Sequence, residues 1–393
     1  MDIHLAPEFT LLCLAARPAS NENTAALRNA IAATSDWPAV IEGAQRNRVT
    51  SLLLASLQAC GSSAIPPDVF AELRRQTIVS VARSLAQIPA IKTLCAAFEI
   101  AEIPFLIIKG IPLSLELYGD VTRRAADDID LLVSPDRFWQ ADTILTQLGY
   151  RSDAGPAPGT PRNVYKFWVK DIRYVNEHSH TIVELHHRLT TNPYLLDWPF
   201  DELWKDRIHV RVGDTEVATL SSRRLPLYLC AHGASHGWER LRWLVDLTTV
   251  LQGLNGAAKL LNEAETAGLG PPMLQAMVLA HEWLGFPLAT HRLAEAKQNR
   301  RVKRLDRCLG HFLGGASWRR RPRFNSWEWL WRYSIWLFLH NLSLKMDWRF
   351  RAYQCAAIWI YPPDWDAIRL PAALYWLYPL IRPFSWTIRR LRG

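Results

Sequence analysis

The stretch from residue 103 to 133, IPFLIIKGIPLSLELYGDVTRRAADDIDLLV, constrains this chain more than any other. Phe105 to Ile108 is a short apolar run rich in β-branched residues, closed by Lys109-Gly110, the pattern of a buried strand that ends in a turn. A helical segment follows, with Leu113, Leu117 and Tyr118 spaced to cover one face. Asp128-Ile129-Asp130 then runs into Leu131-Leu132-Val133, a second buried strand. Residues i and i+2 of a strand share a side, so Asp128 and Asp130 are expected to aim two carboxylates at one point. Such carboxylates repel unless a cation lies between them, and oxygen ligands suit Mg²⁺. The stretch predicts a phosphate-cradling turn beside a metal site.

With 393 residues the chain can bury a large core in two or three domains. Hydrophobic residues make up 49% and charged ones 21%, which excludes a disordered chain. A net charge of +9 favours anionic partners (nucleotides, nucleic acid or acidic lipid) without choosing among them. Cys13, Cys60, Cys95, Cys230, Cys308 and Cys355 form no C-x-x-C pair, and most lie in apolar helical patterns, as expected of a reducing compartment. Met1-Asp2-Ile3-His4 lacks the basic start of a signal peptide, and no apolar run is expected to span a bilayer. A cytoplasmic protein with no transmembrane segment is the expectation.

Residues 1–100 form a helical region, 101–222 mix strands and helices, and 223–393 are helical again. In the first region, Trp37 to Leu57 and Val69 to Phe98 carry apolar residues at helical spacing, the second opened by Pro66-Pro67. In the middle region, Asp136 to Gly149 is expected to be a helix ending at a glycine, and 154–159 a loop. Val164 to Val175 reads as a strand or hairpin arm, with Thr181 to Leu189 returning beside it. Glu184 sits among apolar residues there, which is costly without a partner. A last strand pair is expected at Ile208 to Val212 and Glu216 to Leu220, joined by Gly213-Asp214.

In the last region, Pro226 to Leu254 is a helical pattern interrupted by Gly233 and Gly237, and 100° per residue places His232, His236, Glu239, Trp243 and Asp246 on a polar stripe, a cleft wall or a solvated face. His232 and His236 lack the H-E-x-x-H pattern, so zinc is not favoured. Tryptophans and basic residues crowd Trp318 to Trp348 and Trp365 to Arg392, as core or as a lipid-facing surface.

The pieces Phe105-Leu-Ile-Ile-Lys-Gly110, Leu117-Tyr118-Gly119-Asp120, Arg124-x-x-x-Asp128-Ile-Asp130 and Val183-Glu184-Leu185-His186 together resemble the nucleotidyltransferase superfamily of DNA polymerase β type. More narrowly the chain looks like a bacterial nucleotidyltransferase family with a Lys-Gly turn in place of the usual Gly-Ser. His232 to Trp238 and Leu241 to Asp246 add to the likeness. The resemblance implies an α+β fold, a small mixed β-sheet palm flanked by N-terminal and C-terminal α-helical regions. It implies that Asp128, Asp130 and Glu184 are catalytic and hold two Mg²⁺ ions, with Lys109, Gly110 and Arg124 on the phosphates of an NTP co-substrate such as ATP. The serine contact to a phosphate has no counterpart here. His186, His232, His236 and Asp246 are the candidates for contact with substrate.

The expected function is metal-dependent transfer of a nucleoside monophosphate to a small molecule, sugar or peptide, with release of pyrophosphate. The alternatives are a non-catalytic protein of the same fold that docks to a membrane surface or partner through its Trp-rich tail, and an RNA-modifying enzyme.

Overall fold

The computed structural model describes residues 5–385 apart from 19, 62–63, 153–159, 254–256, 314–333, 361, 363, 366–367 and 383. The expected loop at 154–159 and most of the Trp-rich stretch from Trp318 lie outside the described residues, as does the chain from 386 on.

The chain opens with five helices, α1 (Pro7–Ala15), α2 (Asn21–Ala33), α3 (Trp37–Arg46), α4 (Thr50–Cys60) and α5 (Pro67–Ile100). Ser20 and Asp36 cap α2 and α3 by accepting backbone N–H bonds at 3.1 and 3.0 Å. Next come β1 (Phe105–Ile107), α6 (Ile111–Tyr118), β2 (Ile129–Val133), α7 (Phe138–Gln147), β3 (Arg151–Ser152), α8 (Arg162–Trp168), β4 (Asp171–Asn176) and β5 (Thr181–His186). Then follow α9 (Phe200–Asp206), the hairpin β6 (Ile208–Val212) and β7 (Thr215–Thr219), and α10 (Leu225–Ser235). The remaining helices are α11 (Leu241–Gly253), α12 (Ala257–Thr266), α13 (Gly270–Leu284), α14 (Thr290–Gln298), α15 (Arg300–Leu313), α16 (Ile335–Leu344) and α17 (Trp348–Trp359). This is the α+β fold expected, with a small mixed sheet among helices.

The residues group into two compact units, each drawn from three stretches of chain. The helical unit takes 1–85, 113–127 and 222–345; the sheet unit takes 86–112, 128–221 and 346–393.

In the sheet unit the strand order is β1-β2-β5-β4-β3. β2 pairs antiparallel with β1 and parallel with β5, while β5 pairs antiparallel with β4. Every residue of β2 is buried, as its apolar run demands. Phe138, Ala141 and Leu145 give α7 a buried face, which packs on β5, and Gly149 (φ +82°) follows its end. Asn176 accepts the backbone N–H groups of His178 and Ser179 and so shapes the turn between β4 and β5. One local expectation is corrected. Residues 164–175 are not one strand: 162–168 form α8 and only 171–176 enter the sheet. Pro161 starts the helix, and Tyr165 buries its ring against Trp139 and Trp365, a non-local contact that alternation along the chain does not encode.

In the helical unit, the pattern from Pro226 to Leu254 is two helices, parted at Gly237 and continuous through Gly233. Gly237 (φ +60°) and Trp238 (φ +51°) turn the chain between α10 and α11, so the stripe drawn from His232 to Asp246 does not hold. Trp238 donates its backbone N–H to the Gly233 carbonyl at 2.9 Å, and its ring, 1% exposed, folds back over Gly233. A Cβ on Gly233 would stand 2.2 Å from ring atom Cζ3. Gly233→Ala is therefore expected to cost about 1–3 kcal/mol or more of stability, since a packed indole has to move. A urea midpoint equal to wild type would show that the contact does not constrain the fold.

His340 on α16 is buried, with Nε2 2.8 Å from the Ala234 carbonyl. Burial pushes its imidazole down to about 4, below the ordinary value of 6.5. The unfolded chain therefore binds a proton that the folded chain refuses. Stability present above pH 6.5 is lost as pH falls towards 4, by about 3 kcal/mol at most. Urea titrations at pH 7 and pH 4.5 should differ by less in His340→Leu than in wild type; an unchanged difference would acquit this histidine.

Among the described residues one helix, α5, is long and apolar enough by length and composition alone to cross a bilayer. Core helices of soluble proteins pass the same test when mostly buried, and 28% of the apolar window of α5 is buried. α5 carries Ser84 and Gln87 buried at 0% and 1%, and Arg83 and Lys92 ion-paired with Asp127 and Asp214.

Candidate active site

Three strands and one turn of the sheet unit build the site. In the parallel ladder Asp130 of β2 lies opposite Glu184 of β5, so both side chains leave the same face of the sheet. Two residues on, His186 returns to that face, and across the antiparallel pair it lies opposite Asp171 of β4. The His186 Nε2 atom stands 3.2 Å from Asp130 Oδ1, 3.4 Å from Glu184 Oε2 and 3.7 Å from Asp171 Oδ2. Lys109, just past β1, places Nζ 2.9 Å from Asp130 Oδ1, and Lys170 pairs with Asp171. Gly110 follows with φ +71°, a left-handed conformation that a side chain would disfavour, and α6 begins at the next residue.

The charges hold one another in place. Burial alone would raise the Asp130 carboxyl, but the Lys109 ammonium and the bond to His186 overcome it and hold the group well below the usual carboxylate range. Burial and Lys170 press the His186 imidazole down, yet Asp171, Asp130 and Glu184 outweigh them and raise it. Asp171 is lowered in turn: against its burial, His186 and Lys170 favour the charged form.

One ligand atom each from Asp130, Glu184 and His186 lie within 4.8 Å of one another, close enough to share a cation. Two carboxylates and an imidazole are donors that a divalent ion accepts, so this set fits the metal that the sequence implied. Its membership differs from the expected trio. Asp130 and Glu184 come together as predicted, His186 joins them, and Asp128 lies outside the group. β2 begins at Ile129, and Asp128 sits half-buried in the bend before it, where strand alternation no longer sets its direction.

The other candidates belong to the helical unit. Arg124 does not stand open as a phosphate clamp: its Nε donates to both carboxylate oxygens of Asp246, at 3.0 and 2.9 Å, with the two side chains 4% and 1% exposed. Asp246 is thereby a buried counter-ion and offers no free surface to substrate. His232 and His236 lie with Trp243 in one ring cluster, the two imidazole centroids 4.9 Å apart. Asp171 and Lys170 are the residues that sequence reasoning missed. Their signal was the register of β4 on β5, hidden while 164–175 was read as a single strand.

A left-handed glycine thus turns the chain between a strand and a helix, and the adjacent parallel strands β2 and β5 carry acidic residues on one face. The chain belongs to the family described as uncharacterised nucleotidyltransferase, whose sequence model matches residues 33–285. The match takes in the turn, both acidic strands, and α10 and α11. No curated protein and no solved structure matches the chain.

Proposed function

We propose that the chain is a metal-dependent enzyme that moves a nucleoside monophosphate from an NTP to a hydroxyl or similar acceptor and releases pyrophosphate. The observation that carries this reading is the meeting of Asp130, Glu184 and His186 on one face of the sheet, beside the Lys109-Gly110 turn. Asp130 and Glu184 hold a divalent cation, Mg²⁺ by preference, and the imidazole of His186 also admits Mn²⁺. When bound, such an ion polarises phosphate oxygens and steadies the charge that grows on the leaving pyrophosphate. A second ion requires Asp128 as a further carboxylate, one residue ahead of the strand.

Lys109 holds Asp130 in its charged form and, beside the turn, would offer its ammonium to the triphosphate. Gly110 brings the backbone close, and the first N–H groups of α6 face anions. Asp171 and Lys170 orient His186 from the third strand. The acceptor proposed is a small molecule, sugar or peptide in preference to RNA.

The test is to incubate the protein with labelled NTPs and Mg²⁺ or Mn²⁺ over a panel of acceptors, following pyrophosphate release. Turnover that a chelator and Glu184→Ala both abolish supports the reading. Absence of any metal-dependent nucleotide binding or turnover sinks it.

A second reading, peripheral docking to a lipid surface, draws on the exposed Trp348, Trp359, Trp376, Leu380 and Phe384. Liposome co-sedimentation of wild type against Trp348→Ser/Trp376→Ser tests it: equal recovery of the two counts against docking.

A further inference from the structure

The arginines of the helical unit converge where no carboxylate chemistry calls for them. Arg48, Arg75, Arg83, Arg123 and Arg242 line a cavity of about 170 Å³, together with a single acidic residue, Asp127. They come from four segments. Arg75 and Arg83 lie two helical steps of four apart on one face of α5, with Val79 between them. Arg48 sits in the turn between α3 and α4, Arg123 follows α6, and Arg242 is the second residue of α11.

Counter-charge is short. Asp127 is shared, accepting from Arg48 and, at 3.0 Å, from Arg83. Arg75 is held by Glu72 at 2.6 Å. Arg242 donates to the Ala125 carbonyl, and among the described residues neither it nor Arg123 has a carboxylate within ion-pair distance. Burial, with Arg124 and Arg48 adding to it, pulls the Arg242 guanidinium down to about 10, against the attraction of Asp246 and Asp127. Like charges gathered at a cavity with too few partners cost stability until an anion completes them.

The rest of the lining narrows the ligand. Thr50, Ser51 and Ser80 bring hydroxyls, and Gln45 and Gln76 bring amides, groups that match sugar hydroxyls. None of the described lining residues is aromatic, so nothing there stacks a nucleobase or a single-stranded nucleic acid. We propose that this cavity binds the phosphate end of a hydroxyl-bearing small molecule, a sugar phosphate by chemical class. Planar guanidiniums grip its phosphate oxygens in pairs, while the hydroxyls and amides take up the sugar.

The cavity is formed wholly by residues of the helical unit, so the proposal stands or falls apart from nucleotidyl transfer. The experiment is calorimetric titration of the full chain, in chelator, with inorganic phosphate, glucose 1-phosphate and glucose. Expected are binding of both phosphates, tighter for the sugar phosphate, and none of glucose. Arg83→Gln/Arg123→Gln, two exposed positions chosen to keep the fold, should weaken binding about tenfold or more at unchanged thermal midpoint. Asp130→Asn should bind as wild type does, which separates this site from the carboxylate group. The proposal is overturned by no binding of either phosphate, by binding that the double variant leaves intact, or by binding that Asp130→Asn removes. It is equally overturned if a single-stranded RNA competes glucose 1-phosphate away through the same two arginines.

Discussion

Asp130→Asn is expected to lower nucleotidyl transfer about a thousandfold or more, and Asp130→Ala to cost about 3–5 kcal/mol of stability besides. Both effects follow from where the carboxylate sits. Asp130 is 1% exposed, with Lys109 at 2.9 Å and His186 at 3.2 Å. The asparagine keeps the shape and loses the charge a cation needs. The alanine also takes from Lys109 and His186 the buried carboxylate that both contact. A double-mutant cycle separates the two roles. Lys109→Met should return part of the stability lost by Asp130→Ala, since it removes the cation that faced the lost carboxylate, and should return none of the activity. Urea unfolding and pyrophosphate release on the four proteins complete the comparison. If Asp130→Asn turns over as wild type does, the carboxylate is a structural counter-ion and the proposed chemistry lies elsewhere.

The core of this site was legible in the sequence because it is written in local patterns. A buried strand closed by Lys109-Gly110, and a second strand with an acid at position 130, are short-range signals that the structure bears out in β1, Gly110 and β2. Glu184 was legible for a different reason: a carboxylate inside an apolar strand is costly, so it points to a partner. What the sequence hid is register. That β2 pairs with β5 so that 130 meets 184, and β5 with β4 so that 186 meets 171, depends on contacts more than forty positions apart in the first case. Local alternation also misled at two points. It carried Asp128 into a strand that starts one residue later, and it drew one stripe across Gly237, an interruption at which the chain turns. The pairing of Arg124 with Asp246 was out of reach for the same reason, since 122 residues separate them.

Asp246→Ala is the second large effect expected, a loss of about 3–5 kcal/mol in the helical unit. The single N–H of Arg124 Nε is shared between both oxygens of this carboxylate, with both groups almost wholly buried. Asp246 also attracts Arg242, whose guanidinium burial and Arg124 both push down. Removing this anion takes both Nε contacts from Arg124 and leaves Arg242 with one attracting carboxylate fewer. Asp246→Asn should lose less, because an amide oxygen still accepts from Arg124. Arg124→Leu/Asp246→Leu should recover a large part of the loss, as apolar side chains of similar volume do in place of a buried ion pair. The same series decides what Arg124 is for. A structural arginine predicts that the double leucine variant keeps its affinity for NTP once folded. A phosphate clamp predicts that the affinity falls about tenfold or more even in the restabilised protein. With both oxygens of Asp246 already on Nε, the first result is the one expected.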